Sequence, residues 1–185
     1  MPPAVSPTLL TLTRHRGNLP VMAGLHAGAG TFGELVEQTA LSRDTLSRSL
    51  RELGRPGRCC WVRRYRTAPP WRLTVAGQQV APACVRVLDR MADQEAGVKD
   101  LLLRRWSLPI AASLQNWTLH FGELRAMLPD ITPRALALAL KDMQSAGLVL
   151  REVDMTQFPP SPVYRLSPAG ATFVPLLIEV GAGPP

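Results

Sequence analysis

Phe32-Gly33-Glu34-Leu35 recurs as Phe121-Gly122-Glu123-Leu124, 89 residues further along this chain of 185 residues. The segments before the two copies also match at this offset, with Leu19 to Leu25 corresponding to Leu108 to Leu114. The match continues, now at an offset of 90, at three apolar positions of each copy: Leu46, Leu50 and Leu53 against Leu136, Leu140 and Met143. Matches that keep their order over this length predict an internal duplication, with two units of about 90 residues each.

The duplication divides the chain into two units that are small for an independent hydrophobic core. We therefore expect the two to pack on each other as a compact pair related by a pseudo-two-fold axis. The predicted boundaries are a disordered tail over residues 1–8, a first repeat over 9–92, a linker helix over 93–107, a second repeat over 108–180 and a frayed tail over 181–185.

The charge is distributed unevenly between the two halves. Residues 1–92 contain 13 Arg, no Lys and 5 acidic residues, a net charge of +8. Residues 93–185 contain 6 Arg, 2 Lys and 9 acidic residues, a net charge of −1. A basic half beside a neutral one indicates that the first repeat meets a polyanion such as nucleic acid.

The first repeat shows the pattern of a helix-turn-helix followed by a hairpin. Asn18 is expected to cap an apolar helix up to His26, and Thr31 with Glu34 has the spacing of a capping box for the next helix. Ser42 is expected to cap a third helix to about Gly54, and extended segments on either side of a Pro-rich turn follow it. Thr74 is expected to cap the helix after this hairpin, and the second repeat is expected to end in one helix over residues 168–180. We predict a mainly α fold with small β-hairpin wings (α+β), a tandem winged helix-turn-helix.

The second repeat resembles the HxlR-type winged helix-turn-helix transcriptional regulators over most of residues 104–178. The motifs that carry the resemblance are Trp106 before Leu108-Pro109-Ile110, Phe121 to Arg125, Pro129 to Leu136, Ala146 to Val149, and Tyr164 to Gly170. The first repeat is a weaker copy. Members of that family are typically single winged-helix domains that dimerise through terminal helices to bind DNA, so the resemblance implies a fused pseudo-dimer that binds double-stranded DNA.

The candidate DNA contacts lie mostly in the first repeat. Arginines on a recognition helix contact phosphates or guanine edges, although a solvated basic face is the alternative interpretation. Arg72 lies opposite the basic strand of the wing. The candidates of the first repeat are Arg43, Thr45, Ser47, Arg48, Arg51 and Arg55 on the helix, and Arg63, Arg64 and Arg66 on the wing.

The recognition helix of the second repeat, predicted over residues 133–145, departs from the family pattern. Residues 133–141 are mostly Ala and Leu, and only Arg134 and Lys141 remain as candidate phosphate contacts. Leu138 lies away from the buried stripe, where a base contact is expected. Two interpretations stay open for this residue: it forms an interaction surface for a protein partner or self-association, or it packs against its own wing, at Phe158 or Met155.

The remaining reactive residues predict no catalysis, no cofactor and no metal site. Two interpretations are open for Cys59 and Cys60: they form a thiol sensor, or they are buried cysteines of a strand. Cys84 is expected to pack on an apolar helix face. No nucleophile–base constellation or phosphate-binding loop is present, so we predict that the protein is not an enzyme. Without an apolar run long enough to span a bilayer or a signal-peptide pattern, we expect a cytoplasmic, nucleoid-associated protein with no membrane partner.

A DNA-binding transcriptional regulator is therefore the leading hypothesis from sequence. One alternative is a protein-interaction scaffold, since paired winged helices serve that role in the small subunits of bacterial condensin. Another is sequence-independent binding of duplex DNA in genome maintenance or nucleoid organisation. The sequence leaves open the operator, the effector and the sign of regulation.

Overall fold

The computed structural model describes residues 4–55, 62–66, 70–156 and 158–183. Its first half contains the following elements in order: α1 (Pro7–Thr13), α2 (Asn18–His26), α3 (Phe32–Thr39), α4 (Arg43–Leu53), β1 (Val62–Arg64), β2 (Trp71–Leu73) and α5 (Val75–Ala92). Its second half contains α6 (Ala96–Leu102), α7 (Ser107–Ser113), β3 (Leu119–His120), α8 (Phe121–Met127), α9 (Pro133–Ser145), β4 (Val149–Asp154), β5 (Ser161–Leu166), α10 (Pro168–Ala171) and α11 (Val174–Gly181). The predicted winged helix-turn-helix fold class is confirmed.

The repeated Phe-Gly-Glu-Leu stretch begins a helix in each half, and its glutamate caps the start of that helix. The Glu34 carboxylate accepts hydrogen bonds from the N–H groups of Gly30 and Thr31, each at 2.9 Å, and Thr31 Oγ1 accepts from the Glu34 N–H at 3.2 Å. The Glu123 carboxylate likewise accepts from the His120 N–H at 2.6 Å. These bonds satisfy N–H groups that a helix start leaves without partners, and the predicted capping box is confirmed.

The wings are antiparallel hairpins of unequal length. In the first half β1 pairs with β2 over three residues, from Val62 opposite Leu73 to Arg64 opposite Trp71. In the second half the sheet has the order β3-β5-β4. Where the second half has the paired strand β3, the described part of the first half has a backbone hydrogen bond from the Trp71 N–H to the Gly30 carbonyl, at 2.9 Å.

The two halves pack through their terminal helices. The N-terminal helix α1 contacts α11 of the second half, while α6, which opens the second half, contacts α5 of the first. The long helix α5 also packs on α11, where Arg86 Nε donates to the Glu179 carboxylate at 2.8 Å. A single cluster of buried apolar side chains runs through both halves. The duplication and its pseudo-two-fold axis stay predictions, because a shared order of elements does not establish that the halves superpose.

The chain ends differ from the predicted disordered and frayed tails. Helix α1 begins at Pro7, and Val5 is only 8% exposed. Ser6 Oγ donates to the Gly181 carbonyl at 2.9 Å and Thr8 Oγ1 donates to the Gly183 carbonyl at 3.1 Å. Residues 4–8 and 181–183 are thus ordered by each other, since burial of Val5 and hydrogen bonding of the end of α11 offset the conformational entropy of ordering them.

Three local predictions are also corrected. Asn18 is the first residue of α2, not its cap, and its Nδ2 donates to the Thr11 carbonyl at 2.9 Å. The linker helix predicted over residues 93–107 spans only Ala96–Leu102. The single helix predicted over residues 168–180 is divided into α10 and α11. Pro175 lacks an N–H and is accommodated in the first turn of a new helix, and Phe173 at the break is 1% exposed.

Within the described residues, no helix is both long and apolar enough to cross a membrane.

Candidate nucleic-acid interface

Helix α4 packs on the rest of the first half through one apolar stripe. Leu46 and Leu53 are fully buried and Leu50 is 2% exposed. The helix is capped by Ser42, whose Oγ accepts a hydrogen bond from the Thr45 N–H at 3.3 Å. Cap and stripe together fix which side of α4 faces solvent.

The solvent side of α4 carries most of the candidate contacts. Arg43, Ser47, Arg48, Arg51 and Arg55 are exposed. Among the described residues no carboxylate forms an ion pair with Arg43, Arg48 or Arg51, whereas Arg55 lies 3.9 Å from the Glu52 carboxylate. Within that part of the chain, three guanidinium groups are therefore available to an external anion.

Thr45 differs from the other candidates on this helix. It is half-buried, and its hydroxyl lies 2.9 Å from the Ser42 hydroxyl at the helix cap. The Thr45 hydroxyl is therefore engaged at the cap of α4, whereas a contact to a base would need an outward-facing hydroxyl.

The first wing extends this basic surface. Arg63, Arg64 and Arg66 are all exposed. Arg64 lies over the ring of Trp71, 5.8 Å from its centroid, and Arg72 lies 5.5 Å from the centroid of the Tyr65 ring. These cation–π contacts hold two arginines against the hairpin, whereas Arg63 and Arg66 have no such ring contact among the described residues.

Tyr65 and Trp71 were not among the predicted site residues. The signal that identifies Trp71 is the register of the hairpin, since Arg64 and Trp71 are cross-strand partners. Register follows from the turn between the strands, and the sequence pattern did not define that turn closely enough to pair them.

Helix α9 of the second half has the same buried stripe and a much less polar exposed side. Leu136 and Met143 are fully buried and Leu140 is 2% exposed. Arg134 and Lys141 are exposed, but between them Leu138 is 57% exposed. An aliphatic side chain thus occupies the centre of the surface that would face a DNA groove.

The second wing is apolar and balanced in charge where the first is basic. Val153 is 50% exposed, Met155 75% and Phe158 99%. Phe158 therefore has almost no buried surface, which argues against the interpretation that it covers Leu138.

Asp154 gives the second wing a fixed negative charge. Hydrogen bonds from the Thr156 hydroxyl and N–H hold the pKa of this carboxyl below its ordinary value, and His120, 3.6 Å away, adds a smaller effect in the same direction. Glu152 on the same strand is paired with Arg165. With Arg151 on the same strand offsetting Asp154, this wing has no excess positive charge to attract phosphates, unlike the first wing.

The cysteines and metal ligands are described only in part. Cys84 is fully buried, as predicted for packing, and burial raises the pKa of its thiol to about 12. Cys59 and Cys60 lie outside the described residues, so the thiol-sensor hypothesis stays a prediction. In the part of the chain that the structure describes, no three His, Cys, Asp or Glu side chains converge as metal ligands.

Comparison with known proteins identifies the family. Residues 101–182 match the model of the family described as HxlR-like helix-turn-helix. The HTH-type transcriptional regulator YvaP of Bacillus subtilis is 34% identical over 84 residues, which cover 44% of this chain and 74% of that protein. The chain belongs to the HxlR-like helix-turn-helix family.

Two further proteins are similar to this HxlR-like chain at comparable identity. An HTH-type transcriptional regulator of Methanothermobacter thermautotrophicus is 33% identical over 73 residues, which cover 40% of this chain and 55% of that protein. The solved structure of the redox regulator HypR in its oxidized form is 30% identical and covers 44% of this chain and 84% of that chain, with a TM-score of 0.41.

The HxlR-like segment does not contain the strongest candidate interface. Residues 101–182 include α9 and the second wing, with Arg134, Lys141 and the exposed Leu138. The helix that exposes the most arginines is α4, which precedes that segment. The segment that matches the family model therefore contains the less basic of the two recognition helices.

Proposed function

We propose that the chain is a transcriptional regulator that binds duplex DNA mainly through α4 and the β1–β2 wing of its first half. The observation that carries the proposal is the exposed side of α4, where Arg43, Arg48 and Arg51 have no carboxylate partner among the described residues. Membership of a family whose relatives are named transcriptional regulators supports it. Such a protein would act in the cytoplasm, in association with the nucleoid.

The mechanism follows from the geometry of a winged helix. The second helix of a helix-turn-helix lies in the major groove, where arginines reach the O6 and N7 atoms of guanine or the flanking phosphates. Arg48 and Arg51 are three positions apart and so share one face of α4. Arg63 and Arg66 on the wing would contact the adjacent backbone, which positions the helix without reading sequence.

The second half contributes fewer contacts in this mechanism. Arg134 and Lys141 would each meet a phosphate, but Leu138 between them offers neither donor nor acceptor to a base edge. We infer that sequence is read by the first half and that the second half adds orientation.

The test is binding of a labelled duplex by fluorescence anisotropy at increasing salt. Displacement of counterions predicts that log affinity falls linearly with log salt concentration, by about 0.9 per phosphate contact. Selection of bound fragments from random duplexes then separates a regulator from a sequence-independent binder. An enriched motif supports regulation, uniform recovery supports sequence-independent binding, and absence of salt-dependent binding rejects both.

A second candidate function is supported by the second half. Leu138, Val153, Met155 and Phe158 are all at least half exposed on one recognition helix and its wing. Exposed apolar residues on a soluble protein mark protein contacts more often than nucleic-acid contacts. A role as an interaction module, alone or together with DNA binding, is therefore retained.

A further inference from the structure

A cavity of about 960 Å³ opens between α2, the α3–α4 turn, α5 and α6. Its apolar wall includes Pro20 and Ala23 of α2, Val85 and Leu88 of α5, and Leu103 after α6. We name this cavity the α2–α6 cleft. Its volume lies within the range of about 300–1,000 Å³ that is usual for small-molecule sites.

The second half has a smaller cavity at the corresponding place. It lies between α1 and the start of α7, is lined by residues that include Leu10, Arg105 and Trp106, and measures about 310 Å³. In the predicted duplication, α1 corresponds to α6 and Trp106 corresponds to Gly17. Under this predicted correspondence, the equivalent cavity is smaller in the second half than in the first.

Trp106 lines the smaller cavity, and the Arg105 guanidinium stacks on its ring at 4.3 Å from the centroid. A Cβ at position 17 would lie 2.5 Å from Ser49 Oγ and 3.0 Å from Leu41 Cδ1, so a larger side chain there would require these two side chains to move.

One end of the α2–α6 cleft is basic. A neighbouring cavity of about 360 Å³ shares Arg16, Asp100 and Leu103 with it and is completed by Arg104 and Arg105. Arg16 pairs with Asp100 at 3.0 Å and Arg104 pairs with Asp142 at 2.7 Å. Arg105 has no ion pair among the described residues, so this end keeps a positive charge beside an apolar wall.

We propose that the α2–α6 cleft binds a small molecule with an apolar body and one anionic group. The body lies against α2 and α5, and the anionic group lies at the basic end beside Arg16 and Arg105. A bound molecule would also touch Thr39, Ala40 and Leu41, the turn from which α4 begins. Binding is independent of whether the protein recognises DNA.

The experiment uses the full chain and 8-anilinonaphthalene-1-sulfonate, an aromatic sulfonate, in isothermal titration calorimetry. Gly97 lines the cleft at the second position of α6, and a Cβ there meets nothing within 4 Å. Gly97→Trp therefore adds a bulky side chain at the rim of the cleft without a clash at its Cβ. Gly122→Trp is the matched control, because Gly122 is the second residue of α8, has equally open space and does not line the cleft.

We expect one-to-one binding by the wild type and Gly122→Trp, and binding at least about tenfold weaker by Gly97→Trp. Hydrogen exchange of the wild type with the dye should show added protection in α2, α6 and the α3–α4 turn and none in α7. Equal affinity in all three proteins, or no saturable binding by the wild type, would overturn the proposal.

The anionic part is tested separately with N-phenyl-1-naphthylamine, which lacks the sulfonate. Arg105→Gln leaves the Arg16–Asp100 pair intact and should weaken binding of the sulfonate about threefold to tenfold without affecting the neutral dye. If the neutral dye binds wild type as tightly as the sulfonate does, the anionic preference is wrong.

Discussion

The Ser6 hydroxyl donates a hydrogen bond to the carbonyl of Gly181, at 2.9 Å, so residues near the two ends of the chain meet. This contact lies where α1 of the first half packs on α11 of the second. Helix α6 contacts α5 in the reciprocal way. Each half therefore covers the C-terminal helix of the other, and the stability of the two should be coupled.

Val5→Asp tests whether the N-terminal segment belongs to the core. Val5 is 8% exposed, so an unpaired carboxylate there should lower the free energy of unfolding by about 2–3 kcal/mol. Ala4→Asp is the control, because Ala4 is exposed. Urea unfolding of both variants measures the difference. If both match wild type, the segment is a dispensable tail.

The two recognition helices should contribute unequally to DNA binding. Arg48→Ala with Arg51→Ala removes charges from α4, and Arg134→Ala with Lys141→Ala removes the same number from α9. The first double variant should bind duplex DNA far more weakly than the second, and its salt dependence should be flatter by about one unit for each phosphate contact removed. Anisotropy titrations measure both quantities, and equal effects of the two double variants would restore α9 as a full DNA reader.

The turn before α4 contains a residue in the left-handed region. Ala40 has a φ of 52°, and Asp130, in the turn before α9, has a φ of 64°. Replacing alanine by glycine removes a strain energy of about 1–2 kcal/mol that the left-handed backbone conformation costs the folded state. The greater conformational entropy of glycine also stabilises the unfolded state by about 0.5–1 kcal/mol. Ala40→Gly should therefore raise the unfolding free energy by about 0.5–1 kcal/mol, seen as a rise of about 1–4 °C in Tm.

Asp130→Gly is the comparison for the same backbone conformation. Aspartate tolerates the left-handed region better than alanine, so this change should gain less stability. If Ala40→Gly instead lowers the Tm, packing of the Ala40 methyl group beside the α2–α6 cleft stabilises the fold by more than the left-handed backbone conformation costs.

Leu138→Glu tests self-association through the second half. Leu138 is 57% exposed, so the substitution leaves the fold intact, but in an interface the carboxylate would have to be desolvated at a cost of several kcal/mol. Sedimentation should then show a smaller species. Gln144→Glu, an exposed change on another side of α9, is the control. If the wild type is already monomeric, the self-association hypothesis is wrong, and binding of a different protein remains as the explanation for this surface.

The buried Cys84 thiol should make stability depend on alkaline pH. Burial raises its pKa from 9.0 to about 12, so above pH 9 the unfolded chain loses a proton that the folded chain keeps. Its contribution is therefore present below pH 9 and falls as pH rises towards 12, by up to about 1.4 kcal/mol per pH unit.

The measurement compares Cys84→Ala with its parent, both carrying Cys59→Ser and Cys60→Ser, by urea unfolding from about pH 8 to about pH 10.5, a range that spans the unfolded pKa. Cys84→Ala should be less stable at the lower end, because the packed side chain has been removed, and the gap should narrow as pH rises. A constant gap would mean that the thiol titrates equally in both states.

Local elements were predictable where a side chain acts on its own backbone. The Thr31–Glu34 capping box and the caps at Ser42 and Thr74 follow from spacing alone, and each is present in the structure. The helix over residues 133–145 was predicted with the bounds that α9 has. The Asn18 cap was wrong because Asn18 instead bonds the Thr11 carbonyl of another helix, a partner that no local pattern specifies.

The candidate site was predictable in composition but not in arrangement. The positions of Arg48 and Arg51 outside the Leu46 and Leu50 stripe follow from the helical period. That Arg64 and Arg72 are held over aromatic rings depends on strand register, which is a property of two strands together.

By itself the sequence determined the winged helix-turn-helix units, the concentration of positive charge in the first half and the apolar surface of α9, because these depend on periods, caps and counts along one segment. Only the tertiary structure decided that α1 and α6 pack on the opposite half, that Val5 and Gly183 are ordered, and that the α2–α6 cleft stays open. Those features depend on contacts between segments up to 175 residues apart, as between Ser6 and Gly181. The free energy of such contacts comes from surfaces that exist only once both partners have folded.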